Sequence, residues 1–431
     1  MHKRIILIML LIISFDISQS NAQRGVSLGL GRAYTALARG PEAIYWNPAN
    51  LALSSSLPGF NINLFAIGFN IGNNAFNMDF YNDYFTGTGQ TDAQGNKIGK
   101  TLTDSDKNDI LDKIPDSGFE LKGRGDFSLL AFNYNNYGFS IEGNTRLSAC
   151  LPKDAFRMLL TDIGQKTYHF NVDGDGFSAA KANFSYGRVI KKNIQRMIFN
   201  RVITIKELAV GANLSYIRGI AYGKVIESDV KVIIDNSGFN APSRVVAREA
   251  LGGSGFGLDI GAGAVLENGW QVGLVFDNIP AVINWSKEAK ESTNTFDLKR
   301  QIFLDEFDDI EIDEYREEID KELESFSQTL PMNFRLGVAK YYKIPLGNVL
   351  GNVEIGREYG NMRFSLGGGL KLSFFETYAA YSRAHADNYL SGAIALNFKY
   401  FMWNIGVMNR GGITGNSSKA FSLATGLRFG F

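Results

Sequence analysis

FSLATGLRFGF, residues 421–431, closes the chain. Its odd positions run Phe421, Leu423, Thr425, Leu427, Phe429 and Phe431, and its even positions are Ser422, Ala424, Gly426, Arg428 and Gly430. Side chains of an extended chain alternate between two faces, so this stretch has one apolar face ending in an aromatic and one small or polar face. A soluble sandwich would turn the apolar face to a core. A transmembrane barrel would turn it to lipid and the small face to a lumen.

Repetition separates the two. Phe364, Leu366, Leu370 and Leu372 alternate with Arg363, Ser365, Gly367, Gly369 and Lys371; Phe256, Leu258, Ile260 and Ala262 alternate with Gly255, Gly257, Asp259 and Gly261; Phe334, Leu336 and Val338 alternate with Arg335, Gly337 and Ala339. Charge on the inner face of several strands is costly in a sandwich core and natural in a polar lumen. The fold expected is therefore all-β, a transmembrane antiparallel barrel. Strands are predicted near residues 58–71, 124–134, 137–147, 178–190, 207–222, 251–266, 269–284, 331–342, 349–358, 361–373, 377–385, 390–399, 401–409 and 419–431. These fourteen return the chain to its starting side, as bacterial barrels require.

Connection lengths agree. Asn135-Asn136, Glu267-Asn268-Gly269 and Phe374-Phe375-Glu376 read as short periplasmic turns, and residues 72–123, 148–177, 223–250 and 285–330 as long extracellular loops. The basic stretch 191–206, with Lys191, Lys192, Arg196 and Arg201, breaks that alternation and reads as a strand extension or hairpin. Ahead of the barrel, His2, Lys3 and Arg4 precede an apolar run over residues 5–13 and a small, polar segment ending at Ala22, the pattern of a cleaved signal peptide. The domain reading is a signal peptide over 1–22, an N-terminal hatch over 23–57 and a barrel over 58–431. No later stretch reaches the 18 or so apolar residues of a membrane helix. Glycine, 47 residues, and aromatics, 13%, are both plentiful, as lumenal faces and interfacial girdles demand. A formal charge of zero gives nucleic acid no footing, and the single Cys150 excludes an internal disulfide.

Chemical constellations are thin. Beyond the leader only His169 and His385 remain, outside any ligand-spaced cluster, so no metal, cofactor or catalytic centre is expected. A triad set by geometry alone stays possible in principle. Gly29-Leu30-Gly31 lacks the third glycine of a dinucleotide fingerprint. Asn171, Asp173, Asp175 and Gly176 resemble the opening of a calcium loop, but the twelfth position is Ala182, and a turn-rich loop is the simpler reading. The acidic run over 297–324, with Phe303, Phe307, Ile310, Tyr315 and Ile319 spaced by three to five, reads as an amphipathic helical loop with a solvated face, or as a surface that bridges divalent cations or lipopolysaccharide.

One segment points further: GLGRAYTALARGPEAIYWNPANLAL, residues 29–53. Residues 33–39 read as a short helix ended by Gly40-Pro41, and Asn47-Pro48 as a tight turn. The wording resembles the N-terminus of the FadL-type (long-chain fatty-acid transporter, OMPP1/TodX) superfamily of outer-membrane barrels, with its PorV-like and uncharacterised relatives. Gly31, Ala33, Tyr34, Ala36, Leu37, Ala38, Pro41, Ala43, Ile44, Asn47, Pro48, Ala49 and Leu51 match, whereas Arg32 stands at a glycine and Gly40 at an acidic position. The resemblance implies a fourteen-stranded barrel whose hatch, with Asn47, Pro48, Ala49 and Leu51, plugs the lumen and gates a hydrophobic ligand such as a fatty acid. Implied partners are outer-membrane lipid and the barrel-assembly machinery, the latter reading Phe429 and Phe431. The alternative is a PorV-like barrel that scaffolds or shuttles surface proteins without transport. An apolar lumenal pocket beside residues 47–51 favours transport; a lumen packed solid or lined by charge favours the scaffold. In either case the chain is expected to fractionate with outer membranes and to migrate as a heat-modifiable band, and recovery as a soluble periplasmic species contradicts the barrel.

Overall fold

The computed structural model describes residues 24–54, 59–84, 100–161, 163–198, 201–236, 238–301, 312–358, 361–384, 387–398, 400–411 and 417–430. Among the described residues twenty strands form one sheet. In chain order they are β1 (Phe60–Asn73), β2 (Phe119–Tyr134), β3 (Tyr137–Leu151), β4 (Thr167–His169), β5 (Asp173–Ile198), β6 (Arg201–Asp235), β7 (Gly238–Ala250), β8 (Gly253–Leu266), β9 (Trp270–Asp277) and β10 (Ala281–Trp285). The rest are β11 (Lys290–Gln301), β12 (Ile312–Glu322), β13 (Phe326–Thr329), β14 (Asn333–Ile344), β15 (Gly347–Glu358), β16 (Asn361–Leu372), β17 (Phe375–Ala384), β18 (Asp387–Asn397), β19 (Phe401–Arg410) and β20 (Ala420–Gly430).

Fourteen antiparallel staves make a closed wall: β1, β2, β3, β5, β6, β8, β9, β14 and then β15 to β20. β1 pairs with β20 from Asn61–Gly430 to Gly72–Ala420, so no edge is left open around the ring. Two staves are interrupted. β9 stops at Asp277 and resumes along β8 as β10, because Asn278 takes a left-handed conformation (φ 61°) and Pro280 has no N–H to give. β13 and β14 are parted in the same region.

Alternation becomes inside and outside. On β1, Ile67, Phe69 and Ile71 face out and are exposed while Ala66 and Asn70 are buried; on β20, Phe421 is exposed and Ser422 and Ala424 are buried. Aromatics gather at the short-turn rim, where Phe374 stacks on Phe398 at 5.5 Å, Phe401 meets Phe429 at 5.3 Å, and Tyr137 meets Tyr186 at 5.0 Å. Such a girdle marks an interface between hydrocarbon and water.

Several sequence expectations are corrected. Residues 223–250 and 285–330 are not plain loops: the far half of β6 pairs with β7, β7 with β11 and β11 with β12, extending the sheet past the wall. The described part of the acidic run over 297–324 is strand rather than helix, because the ladder sets Lys290 opposite Glu322 and Glu291 opposite Lys321. Cross-strand partners of opposite charge outweigh the helical spacing of its apolar residues. Asp173 and Asp175 lie in β5 against Cys150 and Ser148, not in a turn-rich loop. The basic stretch 191–206 is a hairpin of β5 and β6, and the third short turn is Ser373-Phe374, with Ser373 at φ 49°. His385 and Phe431 lie outside the described residues.

Leu366, at the centre of β16, is 52% exposed on the apolar outer face of the wall. Leu366→Arg is expected to cost about 2–4 kcal/mol in urea unfolding from bilayers. An unchanged unfolding free energy contradicts a lipid-facing position.

Candidate functional site: a plug seated in the lumen

Residues 24–53 run across the inside of the barrel, and all but Tyr34 and Ala52 are buried. Short pieces carry them: α1 (Gly25–Gly29), a 3-10 turn (Gly40–Glu42), α2 (Ala43–Trp46) and a second 3-10 turn (Pro48–Ala52). The wall receives the plug on inward glycines. A β-carbon at Gly406 of β19 would lie 2.2 Å from the Gly25 carbonyl oxygen, one at Gly273 of β9 would lie 2.6 Å from that of Thr35, and one at Gly211 of β6 would lie 2.4 Å from the Ala49 nitrogen. Backbone packs on backbone only where the side chain is missing, which gives these lumenal glycines their purpose.

Wall side chains then fasten the plug's main chain. The Arg363 guanidinium donates to the carbonyls of Gly31 (2.5 Å) and Arg32 (3.0 Å) and lies 3.3 Å from Glu354. Glu354 accepts from the Thr35 N–H at 2.9 Å, and the Asn352 amide donates to the Ala33 carbonyl at 2.7 Å. Arg335, paired with Asp277 at 2.7 Å, donates to the Trp46 carbonyl and stacks over its ring at 4.8 Å. The Ala33 carbonyl, which a helix over 33–39 would give to Leu37, is taken by Asn352, and the Leu37 N–H donates to Tyr34 instead, so the expected helix is replaced by turns, and Gly40-Pro41 starts a helical turn instead of ending one. Arg32, where the resemblance calls for glycine, has φ 64° beside Gly31 at φ 62°. The pair turns the chain after α1 at a cost of about 1–2 kcal/mol for the non-glycine residue.

Within the plug, Arg24 lies 3.6 Å from Glu42 and 4.8 Å from the Tyr45 ring centre. Tyr34 donates to Glu42 at 2.6 Å. Burial, and then the Glu42 carboxylate, hold the Tyr34 hydroxyl protonated well above the ordinary tyrosine range. Burial also pulls the Arg39 guanidinium down to about 10. Arg39 is satisfied by the carbonyls of Ala36 and Ala38 and by Gln271 at 2.6 Å.

The sequence-marked residues meet at one seat. Asn47 caps the second 3-10 turn by accepting from the Ala49 N–H at 3.2 Å, and its amide donates to the Ala262 carbonyl of β8 at 2.9 Å. Pro48 supplies the first helical position, Ala49 is fully buried on Gly211, and Leu51 packs towards Gly138 and Gly187. Phe429 stands apart on the wall against Phe401. His169 lies in β4, where its N–H donates to Asp154.

The gap next to Ile44 and Tyr45 is about 20 Å³, lined by Glu142, Lys181, Asn183, Asn213, Asp259, Asp277 and Asn278. A larger recess, about 310 Å³, lies in the wall between β1, β2 and β3. There Gly123 sits between Ile71 and Leu147, and Gly125 between Phe69 and Thr145, so two apolar rows flank a strip without side chains. A β-carbon at Gly125 would meet nothing within 4 Å. Sequence reading missed this site by starting β2 at residue 124; its signal is two glycines at alternate positions of one strand. Arg335 and Arg363 were legible as inward charges, but their main-chain targets were not.

Fourteen staves, an apolar exterior and a seated N-terminal plug define a class: the plugged transmembrane β-barrels. No protein-family model matches the chain, and no curated protein matches it. Among solved structures it is similar to the TodX deltaS2S3 mutant monoaromatic hydrocarbon channel, at TM-score 0.52 and 12% identity over 97% of this chain and 100% of that one. Matches to the Pseudomonas putida toluene transporter TodX (TM-score 0.49, 11% identity, 96% and 98% covered) and to a Pseudomonas aeruginosa FadL homologue (0.47, 10%, 96% and 98%) accompany it. The chain shares the barrel fold of the deltaS2S3 channel.

Two substitutions probe the seat. Arg363→Ala strands Glu354 and is expected to cost about 3–5 kcal/mol in unfolding experiments. Gly211→Val overpacks the seat by about 1–3 kcal/mol. Wild-type stability in both contradicts the seating.

Proposed function

We propose that this chain is an outer-membrane channel for hydrophobic small molecules of the fatty-acid or hydrocarbon class, with the short-turn rim in the periplasm. The observation that carries the reading is the recess at Gly123 and Gly125, apolar, large enough for a small ligand and open in the lipid-facing wall. Near its outer end stands an aromatic cluster that suits apolar capture, in which Phe76 stacks on Phe80 at 4.2 Å and on Phe119 at 5.1 Å. A ligand collected there enters the lumen and leaves sideways at the recess into the bilayer, where an apolar solute is already at home, once the ladders that join β2 to β1 and β3 across Gly123 and Gly125 part. The plug fills the lumen along this route in its described seat, buried over residues 24–53 but for Tyr34 and Ala52, and the gap beside Tyr45 holds little more than one water. Passage therefore needs the plug to shift, with Asn47, Pro48, Ala49 and Leu51 as its hinge on β6 and β8. A leader over residues 1–22 and the terminal aromatics Phe429 and Phe431 fit export and delivery to the barrel-assembly machinery.

A second reading has its own observation. The lumen beside residues 47–51 is packed against Gly138, Gly187 and Gly211, and the small gap next to Ile44 and Tyr45 is lined by charge, which favours a scaffold for surface proteins over a conduit. Native mass spectrometry of the detergent-extracted protein separates the two. Co-purified fatty acid or hydrocarbon in the wild type, reduced by filling the recess with Gly125→Leu, supports the channel. Co-purified surface proteins with no apolar ligand support the scaffold.

A further inference from the structure

From Arg188 to Lys206 the sequence carries six cations, Arg188, Lys191, Lys192, Arg196, Arg201 and Lys206, and no carboxylate, in a chain whose formal charge is zero. The fold carries this run past the wall. β5 leaves β3 at Tyr186–Tyr137 and β6 leaves β8 at Ile205–Leu266, yet the two go on pairing as far as Ile198–Arg201. The pairs from Gln195–Thr204 onward form a two-stranded ribbon reaching roughly 13 Å beyond the last wall pair, at ordinary strand rise. Such ribbons are marginal on their own and gain most from a third strand.

An edge for that strand exists. Past Gly187, whose N–H still donates to Asn136, β5 has no neighbour on its β3 side among the described residues, so residues 188–198 present main-chain donors and acceptors along an open edge. The cations are available too. Lys192 approaches Glu207 only to 3.9 Å with 66% of its side chain exposed. Arg188, Lys191, Arg196 and Lys206 are exposed and have no carboxylate partner among the described residues. Met197, 75% exposed, and Val202, 64% exposed, form an apolar pair beside them. Lysines on an edge oppose pairing with a second copy of the same edge. They attract an edge of the opposite charge.

We propose that the open edge of β5 over residues 188–198 takes an acidic, extended segment of a periplasmic protein as an added strand. Main-chain pairing supplies affinity, and the cations select an acidic partner and set its register. The inference rests on the reading that the short-turn rim faces the periplasm. That orientation is checked separately with Met197→Cys in a Cys150→Ser chain: an impermeant maleimide labels it only after the outer membrane is opened, and labelling in intact cells removes the orientation while leaving the binding result to stand for itself.

Binding is tested on the full-length barrel in nanodiscs with a fluorescent peptide of alternating Glu and Val. The peptide is expected to bind at low salt and to weaken with added salt, as exposed charge pairs do. Lys191→Glu, Lys192→Glu and Arg196→Glu together are expected to weaken binding at least about tenfold, with heat-modifiability retained to show an intact barrel. The same peptide with its backbone N-methylated at alternate residues is expected to lose binding as well. Equal binding of the methylated peptide, which means charge attraction alone, overturns the proposal. So does unchanged binding to the triple variant, or a hairpin that binds only phosphatidylglycerol vesicles and no peptide.

Discussion

Inside a bilayer every main-chain N–H and C=O needs a partner, and the ladder between β1 and β20 is where this chain meets that demand. Without it, the staves would end in two open edges in hydrocarbon. Closure in turn fixes the meaning of each position. One face of every stave must suit lipid and the other a lumen, so a period of two in the sequence becomes outside and inside of a cylinder.

The interior follows from closure. A lumen this wide cannot be filled by wall side chains alone, so the chain's own N-terminus fills it. The wall spares room by placing glycine where plug backbone arrives, as at Gly211, Gly273 and Gly406. Charges carried inward, Arg335 with Asp277 and Arg363 with Glu354, spend their hydrogen bonds on plug carbonyls and an N–H, which satisfies plug and wall together. The result is an interior filled at the plug, with a small polar gap beside Tyr45, while the wall stays thin and apolar at Gly123 and Gly125. These two regions together shape the proposed route.

The wall was largely legible in the sequence because its signal is local. Alternation in residues 361–373 or 419–431 is set by the environment on each face, and strands so marked lie where expected. Failures occurred where distant partners decide. Residues 33–39 read as a helix until Asn352 and Glu354 engage their main chain, and the acidic run over 297–324 read as a helix until β7 and β11 pair with it. Asn47, Pro48 and Ala49 were visible as a motif, yet their seat on Gly211 and Gly261 comes from strands more than 150 residues away. No spacing rule within the segment could have placed them there.

Plug movement carries the functional account, and a reversible lock tests it. A β-carbon at Gly263 would stand 3.7 Å from that of Ala49, within the span of an unstrained disulfide. Ala49→Cys with Gly263→Cys, in a Cys150→Ser chain, therefore ties the plug to β8. Proteoliposomes carrying this protein are assayed for passage of a fluorescent fatty acid. The account predicts passage when the bond is reduced and loss of passage when it is oxidised; equal passage in both states, or none in either, contradicts it.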